Sequence, residues 1–219
     1  MHIFGLGNPL LDITAKVDDA FLEKYGLPKN SAILAESKHD AMYDEVINKY
    51  DIEYSAGGAT QNTMRFCQWI VGKNNQVTTF IGSCGNDYFG KIMEKRAKED
   101  GIHVKYQMVD NEQTGTCAVL ITDNGKHRSL CANLGASSMF DLHYLLSNTV
   151  FIEKAKIIYT SGHMLPGMFK LKNIFDKIYK NFYLFLSLFL SPSFFYFSIS
   201  TIGYASCKTH NGMGQRFLL

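Results

Sequence analysis

Apolar positions in this chain follow two periods, and the alternation between them sets out its elements. Ile3 and Phe4 form a short apolar run that ends in the turn Gly5-Leu6-Gly7, and Ile13 to Val17 alternates as a half-buried strand does. Asp18 to Tyr25 has helical spacing, with Gly26 suited to the position just past a helix end. Ser31 to Glu36 reads as a short strand, and Lys38 to Tyr50 is helical through Met42, Val46 and Ile47. Ile52 to Ser55 is a strand, and a helix begins after Gly57-Gly58 and runs to Val71. Gln76 to Gly82 is a strand, and Asp87 is placed to cap a helix that ends at Gly101. Val104 to Val109, Thr114 to Thr122 and His127 to Asn133 are strands, the last two joined by Asp123-Asn124-Gly125-Lys126 as a hairpin. Leu142 to Ala155 predicts one helix, and Lys156 to Gly162 a buried strand.

Strand and helix alternate over 1–6, 58–71, 77–82, 87–100, 104–109, 141–155 and 156–162. That rhythm predicts an α/β protein with a parallel sheet covered by helices. The short strands at 13–17, 31–36, 52–55, 114–122 and 127–133 stand outside it and predict a small second sheet over one end of the first. Ligands of such folds bind beyond the carboxyl ends of the parallel strands. Asn8 and Asp12 follow the first strand, Gly57-Gly58 opens a helix, and Arg128 lies on the second sheet, so these can converge on one cleft.

Composition then narrows the function. The chain has 219 residues, 46% hydrophobic, enough for a sizeable core in one or two domains. A net charge of +2 argues against a nucleic-acid partner. Five cysteines without a C-x-x-C pair fit reduced thiols of a cytoplasmic protein, with the nucleus left open, better than disulfides or zinc. The first residues lack the basic start of a secretory signal. No histidine pair has zinc-enzyme spacing, and Gly82 to Gly90 lacks a P-loop lysine.

Adjacent glycines at 57 and 58 permit close approach of another molecule to the main chain, and the helix start behind them offers free N–H groups. A plain turn before a core helix would look the same. Asp12 is a lone carboxylate in an apolar stretch, able to accept from two neighbouring hydroxyls or to cap a strand end. Asn8 and Asn62 suit either hydroxyl or base-edge recognition or turn and cap duty. Arg128 is a phosphate clamp or a solvated hairpin residue.

Gly5-Leu6-Gly7-Asn8-Pro9-Leu10-Leu11-Asp12-Ile13 resembles the N-terminal signature of adenosine kinases, within the ribokinase-like sugar kinases. Ala56-Gly57-Gly58-Ala59-Thr60-Gln61-Asn62 resembles the di-glycine motif of that family. Gly82 to Gly90, Thr114 to Ala118 and Arg128 to Leu134 continue the likeness in order, over roughly residues 2 to 162. The resemblance implies a Rossmann-like parallel sheet with helices on both faces, a small β lid, and transfer of the ATP γ-phosphoryl group to adenosine with Mg²⁺. By position it implies that Asp12 holds the ribose hydroxyls beside Gly57, Gly58 and Asn62. Asn8, Leu34, Leu130, Ala132 and Leu134 would line the adenosine pocket, and Arg128 would face the transferring phosphate. Two positions depart: Ala59 stands where serine is common, and His163 or Met164 replaces the family's pocket aromatic.

The family's D-x-x-G-A-G-D segment, which carries the catalytic base, is not in these 219 residues. The likeness thus leads to an incomplete C-terminal half, with no catalytic residue, most of the ATP site missing and little or no kinase activity. Every acidic residue lies at or before Asp176, which divides a nucleoside-binding part (1–176) from an apolar tail (177–219). In the tail, Lys180 to Leu188 predicts a core strand, and no designed fold is expected after it. Phe182 to Ile202 is uncharged and long enough to span a bilayer, but Pro192 and five serines argue against that. The expected state is a monomer. One rival reading is a non-catalytic nucleoside-binding module that pairs with another chain through an open sheet edge, and a second is a protein anchored in a membrane by its C-terminal segment.

Overall fold

The computed structural model describes residues 2–161, together with the backbone of four strands between Tyr183 and Leu218. In chain order the elements are β1 (Ile3–Leu6), β2 (Leu10–Lys16), α1 (Asp19–Lys24), β3 (Ala32–Leu34), α2 (Asp40–Lys49), β4 (Ile52–Gly57) and α3 (Ala59–Val71). There follow β5 (Thr78–Gly85), α4 (Tyr88–Glu99), β6 (His103–Val109), β7 (Thr116–Thr122), β8 (His127–Asn133), α5 (Leu142–Leu146), α6 (Thr149–Glu153) and β9 (Ile157–Ser161). The last four strands are β10 (Tyr183–Leu190), β11 (Ser193–Ile199), β12 (Tyr204–Lys208) and β13 (Gly214–Leu218).

Two sheets form. In the first, of order β13-β12-β11-β10-β9-β1-β5-β6, strands β10, β9, β1, β5 and β6 run parallel. Every position of β1 and β5 is buried, as expected for central parallel strands covered on both faces. The second sheet has the order β3-β8-β7-β2-β4 and consists of the five strands that fall outside the α/β alternation. One hydrophobic core joins both sheets to α3 and α4: Phe80, Cys84, Val104 and Tyr106 from the first, Leu11 and Ala56 from the second, Met64 from α3 and Met93 from α4. A second core lies between the second sheet and α1 and α2, with Ile13, Ala15, Ala118, Leu120 and Cys131 packed on Phe21, Leu22, Met42 and Val46.

Two differences from the sequence reading have local causes, and a third lies in the tail. Strand β2 starts at Leu10 rather than Ile13, because Leu10, Leu11 and Asp12 pair with Gly57, Ala56 and Ser55 of β4. The expected helix over 142–155 is two short helices, since the Asn148 side chain donates to the Tyr144 carbonyl while its backbone turns away from helical angles. In the tail, β10 pairs parallel with β9 close to the expected strand, and β11, β12 and β13 add an antiparallel meander where no fold is expected. The segment Phe182 to Ile202 is divided between β10 and β11, and among the described residues no helix is long and apolar enough to cross a membrane. His163 and Met164 lie outside the described residues.

Asp87 caps α4 as its position predicts, accepting from the Gly90 N–H at 2.8 Å. It also accepts from the Thr114 N–H (2.8 Å) and hydroxyl (2.6 Å), fastening the β5–α4 turn to the approach of β7. Burial pushes this carboxyl up, but the Thr114 and Gly90 hydrogen bonds outweigh it and hold the acid below its ordinary value. Its stabilisation is therefore complete above the ordinary carboxylate range and is lost as pH falls toward the lowered folded value. Asp87→Ala is expected to cost about 1–3 kcal/mol in urea unfolding at pH 7, and less at pH 3.

Candidate functional site

The alternation of β2 puts Leu11, Ile13 and Ala15 against the cores and leaves Leu10, Asp12, Thr14 and Lys16 on the opposite face. Register extends that face across the sheet. Ser55, Asp12, Cys117, Ala132 and Leu34 form one row through β4, β2, β7, β8 and β3. Thr14, Val119, Leu130 and Ala32 form the next, and Lys16, Ile121 and Arg128 the third. On the other side of the Asp12 row, Leu10 pairs with Gly57, and Gly115 packs against Leu10 and the Leu134 carbonyl. The face is thus apolar around Leu34, Leu130, Ala132 and Leu10, with Asp12 as its largely buried carboxylate, while Glu53 beside Thr14 on the edge strand is exposed. Leu34 is 63% exposed, unusual for a large apolar side chain with no duty at a surface.

Asp12 is the chemical centre of this face. Burial raises its carboxyl from 3.8 to about 6, against the opposing pull of the Arg128 and Arg65 charges. The carboxyl rests on Gly57, where a Cβ would overlap all three of its outer atoms. Gly58 is glycine for a different reason: its φ is +94°, and a Cβ there would strike the Asn8 carbonyl oxygen. It is the N-cap of α3, so the free N–H groups of that helix begin beside Asp12 and Asn8.

The structure brings Asn8, Asp12, Gly57, Gly58, Leu130, Ala132, Leu134 and Leu34 to this face or its rim. Asn62 is exposed on the first turn of α3, and its carboxamide oxygen accepts from Arg65 at 3.0 Å. Arg128 is exposed four residues along β8 from Ala132, at the far end of the same face, and its charge reaches Asp12. Sequence reasoning missed the residues that hold the floor of the site. Arg65 donates to the Ala56 carbonyl at 2.5 Å and to Asp100 at 2.6 Å, and Gln61 donates to the Gly57 carbonyl at 2.9 Å. Their spacing from Gly57, one and two helical turns into α3, was the available signal.

Other chemistry is sparse. An open cleft between Asn86-Asp87 and Asp110 to Gln113 contains none of the residues that the sequence selects, and Asp87 is already committed to Thr114 and Gly90. Among the described residues, no three His, Cys, Asp or Glu side chains gather to hold a metal ion. Cys84 and Cys117 are buried, with thiols pushed up to about 12, which leaves them unreactive near neutrality.

Comparison with known proteins gives the chain its family. Residues 19–176 match the pfkB family of carbohydrate kinases. Adenosine kinase 2 of Arabidopsis thaliana is 45% identical over 165 residues, 74% of this chain and 47% of the relative. The adenosine kinase of Dictyostelium discoideum is 40% identical over 167 residues, 75% of this chain and 48% of the relative. The chain spans about half the length of these curated relatives. Among solved structures, Schistosoma mansoni adenosine kinase in complex with adenosine superposes with a TM-score of 0.70 at 34% identity, over 79% of this chain and 51% of that one. The Anopheles gambiae adenosine kinase bound to P1,P4-di(adenosine-5) tetraphosphate gives 0.69 at 28% identity, over 99% and 82%. This chain belongs to the pfkB family of carbohydrate kinases, and its matched relatives are adenosine kinases.

The two glycines should respond differently to alanine. Gly58→Ala puts a side chain at positive φ against backbone and is expected to cost on the order of 2 kcal/mol or more. Gly57→Ala meets the Asp12 carboxyl first, so its main effect should be displacement of the acid, at a smaller cost in the thermal midpoint than Gly58→Ala. Asp12 itself has a folded value above its unfolded one, so the protonated fold is favoured below the ordinary carboxylate range and that advantage is lost as pH rises through about 6. Asp12→Asn should accordingly raise unfolding free energy at pH 7.5, by up to about 3 kcal/mol, with no gain below pH ~4.

Proposed function

We propose that this chain is the nucleoside-binding part of an adenosine kinase, and that adenosine lies on the open face of the second sheet. The observation that carries this is the placement of Asp12: a largely buried carboxylate among apolar side chains of that face, beside a helix N-terminus. A carboxylate accepts two adjacent hydroxyls in bidentate fashion, which suits a ribose diol. Leu34, Leu130, Ala132 and Leu134 offer the flat apolar surface that a purine ring needs, and Asn8 and Asn62 add amide contacts at the rim. Arg128, at the far end of the face, would meet a transferring phosphate. The adenosine-bound relative supports the choice of ligand.

The reaction so proposed is phosphorylation of adenosine to AMP with MgATP, a purine-salvage step. Its catalytic base has no counterpart in these 219 residues, and the described residues offer no metal-ligand cluster, so no step is assigned to ATP or Mg²⁺ on this chain. What its own residues do is bind and orient the nucleoside. Positioning and charge neutralisation dominate phosphoryl transfer, and among the described residues Arg128 is this chain's share of the second. The unpaired cysteines support a reducing compartment such as the cytoplasm.

Calorimetric titration tests the reading. Adenosine should bind, and 2′,3′-dideoxyadenosine should bind about 10–100-fold more weakly, the loss expected when a carboxylate forfeits both hydroxyl partners. Asp12→Asn should remove most of that discrimination. Affinity should also fall as pH drops through about 6, where Asp12 takes up its proton. AMP formation from adenosine and MgATP should be close to background. Equal binding of both nucleosides would rule out Asp12 as the diol acceptor.

A further inference from the structure

Helix α3 carries two fully buried glutamines, Gln61 and Gln68, seven residues apart and so on one side of the helix. They do different work. Gln68 closes the far end of the helix: its amide donates to the Gly72 and Asn75 carbonyls at 3.0 and 2.8 Å. Its oxygen accepts from the Val77 and Thr78 N–H groups and the Thr78 hydroxyl at 3.1, 3.2 and 2.8 Å. Every one of those bonds stays within the α3–β5 connection.

Gln61 instead reaches both ways out of the helix. Its amide donates to the Gly57 carbonyl, and its oxygen accepts from the Tyr106 hydroxyl at 2.5 Å. Tyr106 stands on β6, the edge strand of the first sheet, and its own carbonyl accepts from Tyr144 of α5 at 3.0 Å. Complete burial drives the Tyr106 phenol well above its ordinary value, so it keeps its proton and can act as donor. That fixes the Gln61 amide in one orientation, oxygen toward Tyr106 and NH₂ toward Gly57. The Gly57 backbone is the surface on which the Asp12 carboxyl lies.

We propose that Gln61, oriented by Tyr106, is a positioning residue of the nucleoside site: it holds the Gly57 carbonyl and thereby the backbone that seats Asp12. The relay runs from the first sheet, through the start of α3, to the acid on the second sheet. It rests on the nucleoside-binding reading above, and it gives the buried amide at this end of α3 a task besides satisfying the Tyr106 hydroxyl. Arg65 makes a parallel hold on the Ala56 carbonyl, so two successive carbonyls at the end of β4 are fixed from the helix. The charged and titratable groups acting on Asp12 are Arg128 from β8, Arg65 from α3 and the neighbouring Cys117 thiol on β7. None of them belongs to the relay.

The test compares Tyr106→Phe, Gln61→Met and Gln68→Met in the 219-residue chain. The Asp12 carboxyl is followed by ¹³C NMR over pH, assigned with Asp12→Asn, and adenosine affinity is measured alongside. Tyr106→Phe removes one oxygen and keeps the ring, so it decides the matter even if Gln61→Met unfolds. The expected result is that Tyr106→Phe and Gln61→Met let water reach the Asp12 carboxyl. Its midpoint then moves from about 6 toward the ordinary value by about half a pH unit or more, and adenosine binds about tenfold more weakly. Gln68→Met should lower the thermal midpoint and leave both quantities unchanged. An unmoved Asp12 midpoint in Tyr106→Phe, or an equal shift in Gln68→Met, overturns the relay. If the wild-type chain does not bind adenosine, the nucleoside reading falls, and the Asp12 midpoint still decides whether Gln61 positions the acid.

Discussion

The structure turns on one close approach: the Asp12 carboxyl fills the space where a side chain at position 57 would stand. The contact is possible only because position 57 has no side chain. It puts an acid where burial opposes its charge, at the point where strand β4 gives way to helix α3. Much nearby geometry serves that contact. Antiparallel pairing of β2 with β4 sets Leu10 opposite Gly57, Gly58 turns the chain at positive φ, and two α3 side chains take up the carbonyls of residues 56 and 57.

The two sheets share responsibility for the site. The second supplies its face: one side packs on α1 and α2, and the other is left partly open and apolar. The first supplies rigidity, through β1, β5 and the core that also takes in Leu11 and Ala56. An acid held partly desolvated costs stability near neutral pH, and such a cost persists where the surrounding structure over-determines it. Here the surrounding structure is the paired β2–β4 backbone and the buried polar groups behind it.

Much of this was legible in the sequence. Period-2 runs separated cleanly from 3.6-period runs, so the five lid strands could be told from the parallel ones by their failure to alternate with helices. Glycines 57 and 58 and Asp12 were visible as candidates, but by residue type they fitted a turn and a strand cap equally well, and the motif resemblance singled them out. What could not be read was lateral. The row Ser55–Asp12–Cys117–Ala132–Leu34 depends on register between paired strands up to 105 positions apart, and no local pattern fixes register. The Gln61–Tyr106 bond joins residues 45 apart, and a buried glutamine in a helix has no one-dimensional signature. The split of the expected helix at 142–155 was hidden because Asn148 is tolerated in a helix by propensity and broke this one where its side chain donates to the Tyr144 carbonyl.

The central claim is that a nucleoside occupies the open face of the second sheet, seated on Asp12. Methyl-detected NMR of the 219-residue chain with adenosine tests it most directly. Contacts from the purine and ribose protons to the methyls of Leu34, Leu130, Ala132 and Leu134 are expected, together with a shift of the Asp12 carboxyl. Adenosine contacts confined to the cleft between Asn86 and Gln113, or none at all, would contradict it.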